Sequence, residues 1–221
     1  MRMRRNPLAR PALAGCDFFM DRPSEMLGKW KMSFKNPNAP LHIELGCGKG
    51  GFISKIASRN KNINYLAFDI KSEVLYLAMR NIENEYAEIK ENIDNVFIMS
   101  YNIERICEVI DSKDIVDRIY INFCNPWPKQ KHNKRRLTYP RQLESYKNFL
   151  TDDAEIYFKT DDDELYYASL EYFVSCGFKI TYQTTDLHKD NMPWNIMTEH
   201  EKMFSDEGIK IKAIIAKRCI D

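Results

Sequence analysis

Short apolar runs alternate with longer stretches of helical spacing along most of this chain, and that alternation narrows the choice of folds sharply. Residues 41–45, 65–68, 96–99, 119–123, 154–158, 179–183 and 211–215 read as strands. Helical patterns lie between them at 50–59, 73–91, 103–110, 140–150 and 163–176. Strands that alternate with helices predict an α/β chain, with a mostly parallel seven-stranded sheet covered by helices on both faces. The last two strands have no clear crossover between them, only a short helical stretch near 198–204, so they are expected as an antiparallel hairpin at the sheet edge. Residues 1–40 form a polar, proline-punctuated lead-in with a basic start, and 41–221 form one domain. An open sheet of this kind binds its ligand beyond the carboxyl ends of the strands, so residues that carry chemistry are expected there.

The formal net charge is +1, but the charge is unevenly spread. Arg2, Arg4, Arg5 and Arg10 open the chain without an acid, and the span from Arg118 to Leu143 carries seven Lys or Arg and no Asp or Glu. Two such blocks in a near-neutral chain point to a one-sided positive surface of the kind that meets nucleic acid. The six cysteines have neither close pairing nor metal-ligand spacing, and the four histidines do not join them. No apolar run approaches the length of a membrane span. These features predict a cytoplasmic protein with no structural disulfides, no metal and no membrane segment, and leave monomer and homodimer both open.

At the first strand end stands Glu44-Leu45-Gly46-Cys47-Gly48-Lys49-Gly50-Gly51. Glycines at that place let the backbone turn tightly and approach a ligand. Gly46, Gly48 and Gly51 also fit a dinucleotide fingerprint, and Asp69 at the end of the second strand would hold ribose hydroxyls of either cofactor. Glu44 decides between them. A carboxylate there attracts the ammonium and sulfonium of S-adenosylmethionine and repels a pyrophosphate. Asn102, after the third strand, offers an amide for an adenine edge, or serves as a turn residue.

After the fourth strand comes Asn125-Pro126-Trp127-Pro128-Lys129. Both prolines fix their own φ and restrict the residue before them, giving a rigid loop that can position a flat base. It is similar to the Asn-Pro-Pro-aromatic loop of amino methyltransferases. Cys124 precedes this loop instead of following a proline, which sets aside a cysteine-nucleophile mechanism on a cytosine.

The run NPWPKQKHNKRRLTYP, with IELGCGKGGF, FKTDDDELY, NIMTEHEKMF and the basic MRMR start, resembles the bacterial tRNA (guanine-N7)-methyltransferases over nearly the whole chain. That resemblance implies a Rossmann-like class I S-adenosylmethionine-dependent methyltransferase fold and methylation of N7 of guanine-46 in the tRNA variable loop. It implies cofactor binding by Glu44, Asp69, Asn102 and Asn125, and Gly46 and Gly48 of the glycine turn are expected beside them. For the substrate it implies Lys129, Asp161, Thr198, Glu199, His200 and Glu201. Lys131, Lys134, Arg135 and Arg136 are placed to meet tRNA phosphates. Asn125 and Asp161 are the expected catalytic pair, although the family more often has Asp at 125, and often at 102. Guanine N7 has no proton to lose, so Asn125 need not act as a base.

Simpler roles exist for several of these residues. Asp161 to Glu164 open a helix, where acids suit the macrodipole, and Thr198 with Glu201 matches a capping box. Three functional alternatives remain: another N-methyltransferase of the same fold, an RNA-binding homologue with weakened chemistry, and a nicotinamide oxidoreductase that Glu44 argues against.

Overall fold

The structure is a computed structural model and describes residues 6–219. The expected arginine-rich start at 2–5 lies outside the described residues. Seven strands follow one sheet order, 3-2-1-4-5-7-6. The chain divides into two compact units, Met1–Asp114 and Ile115–Asp221.

The first unit contains α1 (Ala9–Ala14), α2 (Trp30–Ser33), β1 (Leu41–Leu45), α3 (Ile53–Arg59), β2 (Asn64–Asp69), α4 (Ser72–Ile89) and β3 (Val96–Ser100). β1 and β2 pair in parallel, as do β2 and β3. Every residue of β1 is buried, which is the pattern of a strand covered on both faces. α4 forms because Val74, Leu75, Ala78, Met79, Ile82 and Tyr86 recur on one face, all buried. It ends at Lys90, in the left-handed region at φ 56°.

Over the residues described, the segment before β1 packs into the first unit. Trp30 is fully buried; its backbone N–H donates to Asp114 Oδ1 at 3.0 Å, and its indole N–H donates to the Val109 carbonyl at 2.6 Å. Phe19 forms a parallel bridge with Ile98 of β3. The lead-in is thereby part of the first core.

The second unit contains β4 (Val116–Asn122), α5 (Pro140–Lys147), β5 (Leu150–Thr160), α6 (Asp163–Ser175), β6 (Phe178–Thr184), α7 (Leu187–Asp190), α8 (Glu199–Asp206) and β7 (Lys212–Arg218). β4 and β5 are parallel, while β7 runs antiparallel to both β5 and β6. The expected edge hairpin is therefore present, with β7 on its inner side. β5 begins several residues before its apolar core: Leu150 pairs with Val116, the register then shifts past the exposed acids Asp152 and Asp153, and pairing resumes at Glu155 opposite Arg118. The short α1, α2 and α7 were not anticipated; each is too brief to show a periodic stripe. Among the described residues, no helix is long and apolar enough to cross a membrane.

Candidate functional site

In the first unit, the chain leaves β1 through a turn built almost entirely from backbone. Gly46 and Cys47 both donate their N–H to the Phe68 carbonyl at 2.9 Å. Gly48 N–H donates to Asp69 Oδ2 at 3.1 Å, while Lys71 N–H donates to Asp69 Oδ1 at 3.0 Å. Asp69 thus closes the turn, and with about four acceptor sites its carboxylate can still take ribose hydroxyls. Gly46 and Gly48 have φ of +84° and +54°, and a Cβ on either would meet nothing within 4 Å. Gly50, at φ +77°, is different: a Cβ there would lie 2.7 Å from that of Ala78 on α4. Close packing against α4 therefore requires glycine at position 50, which lies outside the Gly46, Gly48 and Gly51 spacing.

Glu44 is 2% exposed at the end of β1. Burial, then the charges of Glu44 and Asp69, raises the Cys47 thiol well above its ordinary value. Two carboxylates acting on one enclosed atom mark a negative field at a glycine-lined turn. That donor set fits the cationic amino-acid end and ribose of S-adenosylmethionine. Asn102 is exposed, and its side-chain oxygen accepts from Glu104 N–H at 3.1 Å, capping the short 3-10 turn Ile103–Glu108.

In the second unit, the loop after β4 is strained. Phe123 and Trp127 stand at φ 53° and 48°, where non-glycine residues cost about 1–3 kcal/mol each and gather at functional sites. Asn125 is exposed and its Oδ1 accepts from Trp127 N–H at 3.0 Å, an Asx turn that holds the loop. Desolvation pushes the Cys124 thiol up to about 12, which leaves no thiolate for nucleophilic attack.

Asp161 follows β5 directly. Burial raises its pKa, aided by the Asp162 charge and opposed by its own backbone N–H, Lys212 and His200. Asp162 caps α6, accepting from Leu165 N–H at 2.7 Å, so the capping role falls to it and Asp161 is left for other work. Thr198 Oγ1 accepts from Glu201 N–H at 3.0 Å and caps α8. Glu199 and His200 are exposed. His200 stacks on Phe123 with centroids 6.3 Å apart, and Phe204 stacks on the same ring at 6.0 Å.

Two expectations are corrected here. Glu201 does not offer its carboxylate to a substrate, because the side chain is fully buried and held by three donors. Arg136 does not meet phosphate: its side chain is 1% exposed, Nε donates to the Pro126 carbonyl at 2.8 Å, and Nη2 pairs with Glu164 at 2.6 Å. It braces the proline loop from beneath. Lys129, Lys131, Lys134 and Arg135 are exposed as expected, and the Arg135 guanidinium lies 5.0 Å from the Trp127 ring centre.

Residues missed from sequence are Lys159, His188, Asn195 and Phe123. A lysine in an otherwise apolar strand end was the available signal, since a buried ammonium requires a partner. Among the described residues, no cluster of His, Cys, Asp or Glu could hold a metal ion.

The strand order and the glycine turn after β1 define a class I methyltransferase fold. Solved structures agree on that fold: the 16S rRNA methyltransferase KamB matches with a TM-score of 0.61 at 11% identity, over 86% of this chain and 91% of that one. An antibiotic-related methyltransferase matches with a TM-score of 0.58 at 19% identity, over 86% and 90% of the respective chains. The family described as "Putative methyltransferase" matches residues 38–214. At the level of sequence, the chain belongs to the tRNA (guanine-N(7)-)-methyltransferase family. The Clostridium perfringens (strain SM101) protein of that name is 58% identical, covering 99% of this chain and 100% of its own. The Clostridium beijerinckii protein of that name is 59% identical, with 99% of each chain covered.

Proposed function

We propose that this protein transfers the methyl group of S-adenosylmethionine to N7 of guanine-46 in the tRNA variable loop, in the cytoplasm. The near-complete match at 58% identity to a protein named tRNA (guanine-N(7)-)-methyltransferase carries this reading. The geometry supports it in two ways: a negative glycine turn suits a cationic methyl donor, and a strained, basic loop suits an RNA base.

Glu44, Gly46, Gly48 and Asp69 hold the cofactor, with Asn102 at its adenine. When bound, that cofactor supplies a methyl group activated on a sulfonium. Asn125 serves cofactor or guanine as a fixed dipole. Asp161 is the charged group on the substrate side and stabilises the cationic purine that forms. Guanine N7 presents a lone pair in the ring plane and no proton, so neither residue has to remove one; alignment supplies the rate. Lys129 meets the substrate, Lys131, Lys134 and Arg135 meet flanking phosphates, and Thr198, Glu199 and His200 face the nucleotide.

The test is methyl transfer from labelled S-adenosylmethionine to unmodified tRNA carrying guanine or 7-deazaguanine at position 46. Transfer to guanine that vanishes with the deaza base is expected. Transfer that persists on the deaza substrate would place the acceptor elsewhere. A protein that binds tRNA yet transfers to neither would be a binding homologue.

A further inference from the structure

The inward position of Glu201 leads to a role for Lys159 and Asn195, which lie in the FKTDDDELY and NIMTEHEKMF motifs without a role assigned to them, and for His188, which lies in neither. Lys159 is 3% exposed near the end of β5, two residues before Asp161. Its ammonium donates to Glu201 Oε2 at 2.7 Å, to Asn195 Oδ1 at 2.8 Å and to the Ile196 carbonyl at 3.0 Å. Glu201 Oε1 accepts from Asn195 Nδ2 at 2.6 Å and faces His188 Nε2 at 2.9 Å. His188 Nδ1 lies 3.2 Å from Ser205 Oγ. One buried carboxylate therefore ties the end of β5, α7, the strand-free segment around 195–196, and α8 into one body.

We infer that Lys159, Glu201, His188 and Asn195 are positioning residues that fix the turn bearing Thr198, Glu199 and His200 beside Asp161, so that this turn meets the target nucleotide in one geometry.

Stability alone does not explain this arrangement. A buried ion pair is often replaced by apolar residues of similar volume with no loss of stability. What an ion pair with three further partners supplies is direction: the end of β5 and three segments between 188 and 201 are held at one register. The segments it holds are those that carry the candidate substrate groups. His200 adjoins Glu201, is exposed, and acts electrostatically on Asp161. Its ring stacks on Phe123, two residues before Asn125, and the Lys159 ammonium lies 6.0 Å from the centre of that Phe123 ring. The network thus reaches the loop, the acid and the turn together, while its own carboxylate never meets solvent.

This inference rests on the tRNA reading above. Its test combines Lys159→Met with Glu201→Met, which keeps volume and removes both charges. Thermal melting, calorimetric binding of S-adenosylhomocysteine, and kcat and KM for tRNA are measured beside the parent. The expected variant melts near the parent, binds S-adenosylhomocysteine as the parent does, and loses about 100-fold in kcat/KM for tRNA, the scale of a small misplacement. A folded double variant with parental kcat/KM overturns the inference. Should it fail to fold, His188, on the partly exposed side of the network, gives a second reading. His188→Leu is expected to raise KM for tRNA, and His188→Gln, which can still donate to Glu201, to restore most of it. Equal kinetics for the Leu and Gln variants would count against positioning. A parent inactive on tRNA removes the functional reading itself, whereas an active parent with unaffected variants removes only the network's role.

Discussion

The turn after β1 and the segment after β6 both hold candidate site residues, yet they are ordered by opposite means. The turn is backbone held by backbone: Gly46 and Cys47 share the Phe68 carbonyl, and one carboxylate, Asp69, fastens two amides. The segment is held by side chains, with Lys159 and Glu201 buried at its centre. A backbone-built site depends on which residues can adopt the conformation. A site built on buried charge depends on every partner being present. Failure should therefore look different in the two regions.

The largest expected effect comes from leaving half of the buried pair. Glu201→Gln strands the Lys159 ammonium and is expected to cost about 3–5 kcal/mol in chemical unfolding at neutral pH. The carboxylates of the second unit also differ in sign. Burial raises the Glu201 pKa, but the charge and hydrogen bond of Lys159, with bonds from Asn195 and His188, bring it below its ordinary 4.5. Its stabilisation is complete above that value and is lost as pH falls through the depressed folded value. Asp161 has a raised folded pKa, so its ionisation opposes folding at neutral pH, and acidification relieves that opposition. Asp161→Asn should accordingly be neutral or stabilising at pH 7 while methyl transfer falls, and the Glu201→Gln penalty should shrink below pH 4.5. If both variants unfolded alike at pH 7, the division between a structural and a working carboxylate would be lost.

In the glycine turn the penalties are steric. Gly50→Ala combines φ +77° with a 2.7 Å clash against Ala78, and about 3 kcal/mol is expected from left-handed strain and overpacking together. Gly46→Ala, at φ +84° with open space around it, should lose only the strain of about 1–2 kcal/mol. Its larger effect should appear in S-adenosylhomocysteine affinity, where the new methyl occupies the ligand's room. Comparison of melting and calorimetric binding for the pair separates them; a Gly46→Ala protein that binds as the parent does would mean the ligand lies elsewhere.

This contrast also explains what the sequence made legible. β2 and β3 were readable because 65–68 and 96–99 are continuous apolar runs, β1 because Leu41, Ile43 and Leu45 alternate, and the turn because Glu44 just before a cluster of glycines leaves a local pattern. Glu201 was misread for a physical reason. Its cap with Thr198 is local, but its carboxylate partners lie 42, 13 and 6 residues away, and no spacing rule joins them. The need for glycine at position 50 was not legible, because only the approach of Ala78, 28 positions on by the numbering, imposes it. Arg136 failed similarly: it stands beside Lys134 and Arg135 in a basic run, and only its contacts with Pro126 and Glu164 show that it faces inward.

That basic run gives the smallest effect and the sharpest separation of neighbours. Lys134 is exposed, and if it neutralises a tRNA phosphate, Lys134→Ala should lower the slope of log affinity against log salt by just under about 1, with melting unchanged. Arg136→Ala should leave the slope as it is and lower the melting temperature, because the Pro126 carbonyl loses a buried donor. Binding of one tRNA across a salt series, with melting of each variant, measures both. The alanine variants of two cations two positions apart would then fail in different experiments. A slope change at Arg136 equal to that at Lys134 would show that RNA draws Arg136 out of its brace, and the inner face of the loop would have to be counted as part of the RNA surface.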